Sequence, residues 1–187
     1  MNKLKMVLHS CCGPCSTSVI KRLVDNYDLA IFYYNPNIYP EEEYIKRLNE
    51  QKKFLSLAYP EIKLIDGEYK DSKLFYDSFA GLEHCKEGGA RCEKCMFLRL
   101  KKTAEYTLEN GYDIFATTLS VSPHKNAKLI NEIGQKLADE YGIRYLVSDF
   151  KKHDGYLDSI RISKEYNLYR QNYCGCKDSI YELNKDD

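Results

Sequence analysis

A chain of 187 residues that is 43% hydrophobic and 30% charged suits one soluble α/β-sized domain, so a single domain over residues 1–187 is expected. Lys+Arg and Asp+Glu both total 28, which excludes the strongly basic footprint of a general nucleic-acid binder while leaving room for a local RNA-gripping patch. No run approaches the roughly 20 apolar residues of a membrane span, and MNKLKMVLHSCCGPC lacks the apolar region of a signal peptide. No membrane association is expected, and the cytoplasm is the expected compartment.

Strands and helices alternate along the chain. LKMVLH (4–9) reads as a buried strand, followed by a helix over 16–26 with Ser16 as its N-cap. LAIFYY (29–34) is a second strand. Pro40 and three glutamates open a long amphipathic helix running to about residue 59. IKLI (62–65) is a third strand, and a helix is expected over 70–84. A helix from about Cys92 to Asn110 ends at Gly111, where a C′ glycine is favoured. DIFATT (113–118) is strand four, 125–141 a helix ending at Gly142, 144–147 strand five, and 155–171 the last helix.

This alternation predicts a doubly wound α/β fold with a mostly parallel five-stranded sheet. With strand order 3-2-1-4-5, strands one and four meet where the order reverses, the place such sheets bind ligands. The loops Ser10–Cys15 and Leu119–Pro123 would then open into one crevice.

Cysteine placement carries most of the functional signal. Seven of the eight cysteines fall in three groups: Cys11, Cys12 and Cys15 in HSCCGPCS; Cys92 and Cys95 in RCEKC; Cys174 and Cys176 in YCGC. Cys85 stands apart and reads as an ordinary cysteine. Vicinal Cys11 and Cys12 cannot bridge each other without distorting the peptide between them. A CxxC pair alone serves zinc, clusters or a thiol redox couple, and the CxC pair reads as a metal clamp ahead of a redox tail. Seven thiols exceed one tetrahedral site. Four complete a four-iron four-sulfur cluster, and three leave a metal with an open position. Spacing does not say which four belong together.

At these residues the chain resembles the QueH-type epoxyqueuosine reductases, through HSCCGPC (9–15), YNPNIYPEEEYIKR (34–47), RCEKCMFLRL (91–100), TTLSVSPHK (117–125) and YRQNYCGC (169–176). The resemblance implies a Rossmann-like fold of the nucleotide α-hydrolase (HUP) type. It also implies Cys11, Cys12, Cys92 and Cys95 as ligands of a 4Fe-4S cluster, and Cys15, Cys174 and Cys176 as ligands of a mononuclear iron. Cys15 stands where some relatives carry a carboxylate. The implied reaction removes the epoxide oxygen of epoxyqueuosine in tRNA, with a cluster passing electrons and an open iron acting as Lewis acid. No GxGxxG follows a strand, so the electron donor is expected to be external.

Candidate substrate-binding residues are Asn35, Asn37 and Arg47, with Thr117, Thr118 and Ser122 at the crevice edge and Arg170 and Gln171 before the last cysteines. Each has a plainer role: Asn and Pro favour turns, strand threonines are structural, and an arginine pairs at the surface. His9 and His124 are candidate proton donors near neutral pH. The 17 tyrosines can stack unpaired bases, though most tyrosines fill cores. Two other functions compete. A tRNA-thiolating ATP pyrophosphatase would need an SGGxDS-like loop where HSCCGPCS stands, and a non-enzymatic zinc module would hold zinc without iron or sulfide.

Overall fold

The computed structural model describes residues 3–67, 69–82 and 84–179. Its strands are β1 (Leu4–His9), β2 (Tyr27–Tyr33), β3 (Lys63–Asp66), β4 (Ile114–Thr117) and β5 (Arg144–Tyr145). They form one parallel sheet in the order β3-β2-β1-β4-β5. The helices are α1 (Gly13–Leu23), α2 (Glu41–Ala58), α3 (Ser72–Asp77), α4 (Ala90–Glu109), α5 (Ala127–Tyr141) and α6 (Gly155–Glu165).

Side chains alternate along each strand, so Met6 and Leu8 enter one core and Val7 the other. On the first face they meet Val19, Ile20 and Leu23 of α1, Phe54 and Leu55 of α2, and Ile162 of α6. On the second they meet Leu100 and Ala104 of α4 and Ile130 and Leu137 of α5. Covering both faces explains why β1 is apolar at consecutive positions rather than alternating with polar residues.

Several boundaries differ from the sequence expectation, and each has a local cause. The first helix is capped by Cys12, whose sulfur accepts from the Cys15 amide at 3.4 Å, not by Ser16, whose hydroxyl donates back to Gly13 O at 2.8 Å. In the expected 70–84 helix only Ser72–Asp77 is α-helical; Phe79, Ala80 and Leu82 follow in tighter turns, and residue 83 lies outside the described residues. The last helix stops at Glu165 rather than 171. Asn167 takes φ +49, and the amides of Asn167 and Leu168 reach back to the carbonyls of Lys164 and Ser163. That is a Schellman ending with asparagine in the glycine position. It frees residues 168–176 to reach the crevice outside any helix. Asn126 caps α5 by accepting from the Lys128 and Leu129 amides at 3.0 and 3.3 Å, which leaves Lys125 in the preceding loop. Gly142 ends α5 in the left-handed region, as expected.

Gly13 fixes how closely α1 approaches α2: a Cβ there would lie 2.8–2.9 Å from backbone atoms of Glu50 and Gln51. Gly13→Ala is therefore expected to destabilise the protein by roughly 1–3 kcal/mol, since backbone cannot yield as a side-chain tip does. Thermal unfolding checks this; an unchanged Tm would mean the two helices separate at no cost.

Candidate metal centre

Four segments bring side chains to the carboxyl ends of β1, β2 and β4. The loop after β1 is clamped on both sides. Ser10 N donates to Phe32 O at 2.9 Å and Ser10 Oγ to Gln51 Oε1 at 2.7 Å. Cys11 N donates to Thr118 Oγ1 at 3.3 Å, and the same hydroxyl donates to Cys11 Sγ at 3.5 Å. The sulfurs of Cys11, Cys12 and Cys15 lie within 4.8 Å of one another, and all eight cysteines are free thiols. These three cysteines form a group able to hold a metal ion.

The other cysteines converge beside them. A small cavity of about 20 Å³ is lined by Cys92, Cys95, Cys174 and Cys176, with Phe75 and Phe79 forming an apolar wall. An adjoining cavity of about 70 Å³ is lined by Cys11, Cys15 and Cys174 together with Asn35, Asn37, Arg47 and Gln171. Cys174 borders both, so the three groups meet in one region. Beyond it opens a cleft of about 670 Å³, edged by Cys15, Ser122, His124, Tyr156, Arg170 and Tyr173.

The thiols do not share one protonation behaviour. Cys11 is held well below the ordinary thiol range by hydrogen bonds from Cys12 and Cys15. Burial drives Cys12 up to about 12, and Cys15 rises through its bonds to the other two. Cys174 is held low by Cys176, against the desolvation that opposes it, and further by Lys125 and Arg99; Cys176 rises in turn. In each terminal group one thiol is thus held low while its neighbours rise. Soft thiolate sets of this kind suit iron–sulfur clusters, zinc or iron.

The predicted polar residues divide into lining and supporting roles. Asn37 Oδ1 and Gln171 Oε1 are buried without hydrogen-bond partners, at two residues that line the 70 Å³ cavity. Gln171 Nε2 donates to Cys12 Sγ at 3.1 Å. Asn35 is a strut: Nδ2 donates to Ser10 O at 2.8 Å and Oδ1 accepts from Arg99 Nη2 at 2.6 Å. Thr117 and Thr118 are fully buried and use their hydroxyls on His9 and Cys11. Ser122 borders both the cavity and the cleft. Arg170 edges the cleft, but its Nη1 is bonded to Ser159 and Ser163 of α6.

His9 is not placed as a proton donor. Nε2 donates to Tyr34 O at 3.1 Å, so Nδ1 accepts from Thr117 Oγ1 at 2.9 Å, and burial lowers its pKa to about 3. It is a neutral brace between β1, β2 and β4. His124 is exposed at the cleft edge.

Arg47, 2% exposed, donates to Glu43 Oε1 at 2.6 Å, to Cys174 O at 3.1 Å and to Tyr173 O at 3.4 Å. Gly175 has φ +109, and a Cβ on it would come within 2.8 Å of Arg47 Nη1, so glycine between the two cysteines suits both the backbone and the arginine. Arg47→Met is expected to cost about 2–4 kcal/mol, because it strands Glu43 and unties the Cys174 segment. Unfolding and metal content of the purified variant check this; an unchanged Tm would show that the segment is held elsewhere.

Two residues at the centre escaped the sequence reading. Arg99 lies one helical turn beyond Cys95, with Nη1 4.0 Å from its sulfur, and Lys125 Nζ lies 3.5 Å from Cys174 Sγ. The i, i+4 spacing from Cys95 could have flagged Arg99. Nothing local flags Lys125 unless the helix start is moved to Asn126.

Comparison with known proteins decides the family. The family model described as "Epoxyqueuosine reductase QueH" matches residues 6–182, spanning all three cysteine groups. The chain belongs to the QueH family. It is 43% identical over 177 residues to the epoxyqueuosine reductase QueH of Staphylococcus epidermidis, covering 92% of this chain and 74% of that relative. It is 38% identical to that of Streptococcus pyogenes, covering 91% and 68%, and 34% identical to that of Thermotoga maritima, covering 95% and 91%. The QueH match thus runs from Met6, inside β1, through β5 and takes in the crevice at the carboxyl edge of the sheet. No helix among the described residues is long and apolar enough to cross a membrane.

Proposed function

We propose that this chain is an epoxyqueuosine reductase, removing the epoxide oxygen of epoxyqueuosine in tRNA to leave queuosine. The observation that carries this reading is the family match over residues 6–182, which encloses the entire thiol-lined crevice. In this reading residues 1–187 act as one catalytic domain in the cytoplasm, and electrons come from an external donor.

The residues fit an iron–sulfur centre: seven free thiols on three segments, one of the groups already within 4.8 Å, beside unpartnered buried acceptors. Cys11, Cys12, Cys92 and Cys95 are the proposed ligands of a 4Fe-4S cluster, and Cys15, Cys174 and Cys176 those of a mononuclear iron. When bound, such a pair supplies single electrons and a Lewis acid for oxygen.

The chain's own residues do the positioning. Asn37 Oδ1 and Gln171 Oε1 offer acceptors to donor groups on the substrate ring, and unsatisfied buried acceptors reject a ligand that lacks such donors. Phe75 and Phe79 wall the inner cavity and keep water out. The cleft edged by Tyr156, Arg170 and Tyr173 has room for an unstacked nucleotide of an RNA loop, which aromatic rings can stack. Ser122 borders the passage between cleft and cavity. Arg47, Thr117, Thr118 and Asn35 hold the loops that present these groups.

An ATP-pyrophosphatase reading finds no support in the loop after β1. Its glycine, Gly13, serves contact with α2 instead of leaving amides open to phosphate. The test is anaerobic reconstitution with iron and sulfide, followed by metal and sulfide analysis and conversion of epoxyqueuosine-containing tRNA with a chemical reductant. About four cluster irons plus one more per chain, four sulfides, and conversion are expected. Colourless protein without sulfide, or loaded protein without conversion, would overturn the proposal.

A further inference from the structure

Arg99 and Lys125 carry positive charge into the heart of the thiol cluster without a carboxylate to answer it. Arg99 is 2% exposed. Its Nη2 donates to Asn35, a neutral amide, its Nη1 is 4.0 Å from Cys95 Sγ, and its Nε has no partner. The nearest polar partner of the Lys125 ammonium is Cys174 Sγ, at 3.5 Å. Among the described residues no carboxylate lies within ion-pair distance of either, whereas buried Arg47 has Glu43 at 2.6 Å and Arg91 has Asp178 at 3.4 Å. Both unanswered cations line the two adjoining cavities that the cysteines border.

A buried cation needs compensating anionic charge nearby, because the low-dielectric interior does not screen it. Here the groups available to supply it are sulfurs. Arg99 faces the α4 cysteines and Lys125 the C-terminal pair, so one cation attends each of these two groups, and both line the cavities between them and the first loop. A centre ligated by several thiolates carries net negative charge, which grows when an electron is added. Fixed cations beside it favour the reduced form.

We propose that Arg99 and Lys125 are the counter-cations of the thiolate-ligated centre and set its reduction potential. Neither touches reacting atoms in this role; both are positioning residues acting through the metal ligands. The inference rests on the iron–sulfur reading above and goes beyond it by assigning the charge that tunes the centre. Asn35 then serves to aim the guanidinium: it ties Arg99 to the Ser10 carbonyl, so the charge stays between the first loop and α4.

The experiment uses the full chain, loaded anaerobically. Iron, sulfide and the midpoint potential are measured by redox titration for Arg99→Gln, Arg99→Lys, Lys125→Gln and Lys125→Arg. Each glutamine variant is expected to have a lower midpoint than the unchanged protein, because a lost cation disfavours the added electron. The charge-conserving variants are expected to return it most of the way. Failure of Arg99→Gln to take up sulfide, rescued in Arg99→Lys, also supports a charge requirement, since a purely geometric role would be lost in both. Unchanged midpoints in the glutamine variants at full sulfide content overturn the proposal while leaving the iron–sulfur reading intact. Equal losses in the glutamine and charge-conserving variants overturn it as well. An unchanged protein that takes up no sulfide removes the iron–sulfur reading and the proposal with it.

Discussion

Replacing Cys174 by serine is expected to abolish reduction of epoxyqueuosine in tRNA while leaving most of the sulfide in the protein. Cys174 borders both cavities, so it stands between the other two groups. Its carbonyl is held by Arg47 and the adjacent Gly175 carbonyl accepts from Tyr39 N at 2.7 Å, so the backbone stays in place when the sulfur is exchanged. Serine is nearly isosteric but a harder and far less acidic ligand, and it cannot match a thiolate beside Lys125. If Cys174 and Cys176 hold the mononuclear iron with Cys15, the variant keeps the cluster spectrum, has about one iron fewer, and converts no substrate. The same sample should be assayed for iron, sulfide, spectrum and conversion. Sulfide lost in step with activity would assign the pair to the cluster itself. Full activity would show that the C-terminal pair is not part of the reaction.

The second large effect is expected on α4. Cys92→Ala or Cys95→Ala should remove the cluster absorption and the sulfide, with activity falling to background. Alanine is the strongest helix former and both positions lie near the start of a 20-residue helix, so the fold itself should survive. Far-ultraviolet circular dichroism close to that of the unchanged protein separates loss of ligand from unfolding. Gly88 N donates to Cys92 Sγ at 3.2 Å and Arg99 approaches Cys95, so both sulfurs sit among donors suited to bound thiolates. Normal sulfide content in both variants would mean that the four cluster ligands are drawn from the other groups.

Much of this protein was legible in its sequence. Apolar strands alternating with amphipathic helices called for a parallel sheet with one-handed crossovers and both faces covered, and the 3-2-1-4-5 order taken for it is the order observed. That order alone put the loop carrying Cys11, Cys12 and Cys15 beside the loop after β4. The spacing of the cysteines announced metal or redox chemistry, since local sequence sets which thiols can share a point when they are four positions apart or fewer. Helix ends were less legible where an unusual residue did the capping. Cys12 replaced Ser16 as the α1 cap, and Asn167 ended α6 in a geometry usually left to glycine.

Tertiary structure decided the rest, and it did so through contacts that no local pattern encodes. Whether a polar residue faces a cavity or braces a loop depends on its partners: Asn35 and Asn37 differ by two positions, yet one is fully bonded and the other leaves an acceptor open. Arg47 became an anchor for the Cys174 chain because α2 and the C-terminal segment, 127 residues apart, pack together. Arg99 and Lys125 look like ordinary helix cations in the sequence, one on a helix face and the other at an expected helix start. Only the convergence of α4, the loop before α5 and the YCGC segment sets them among thiols. The sequence by itself determined which chemistry the chain can host; folding determined which charges attend it, because electrostatic neighbours are set by distance in space and not along the chain.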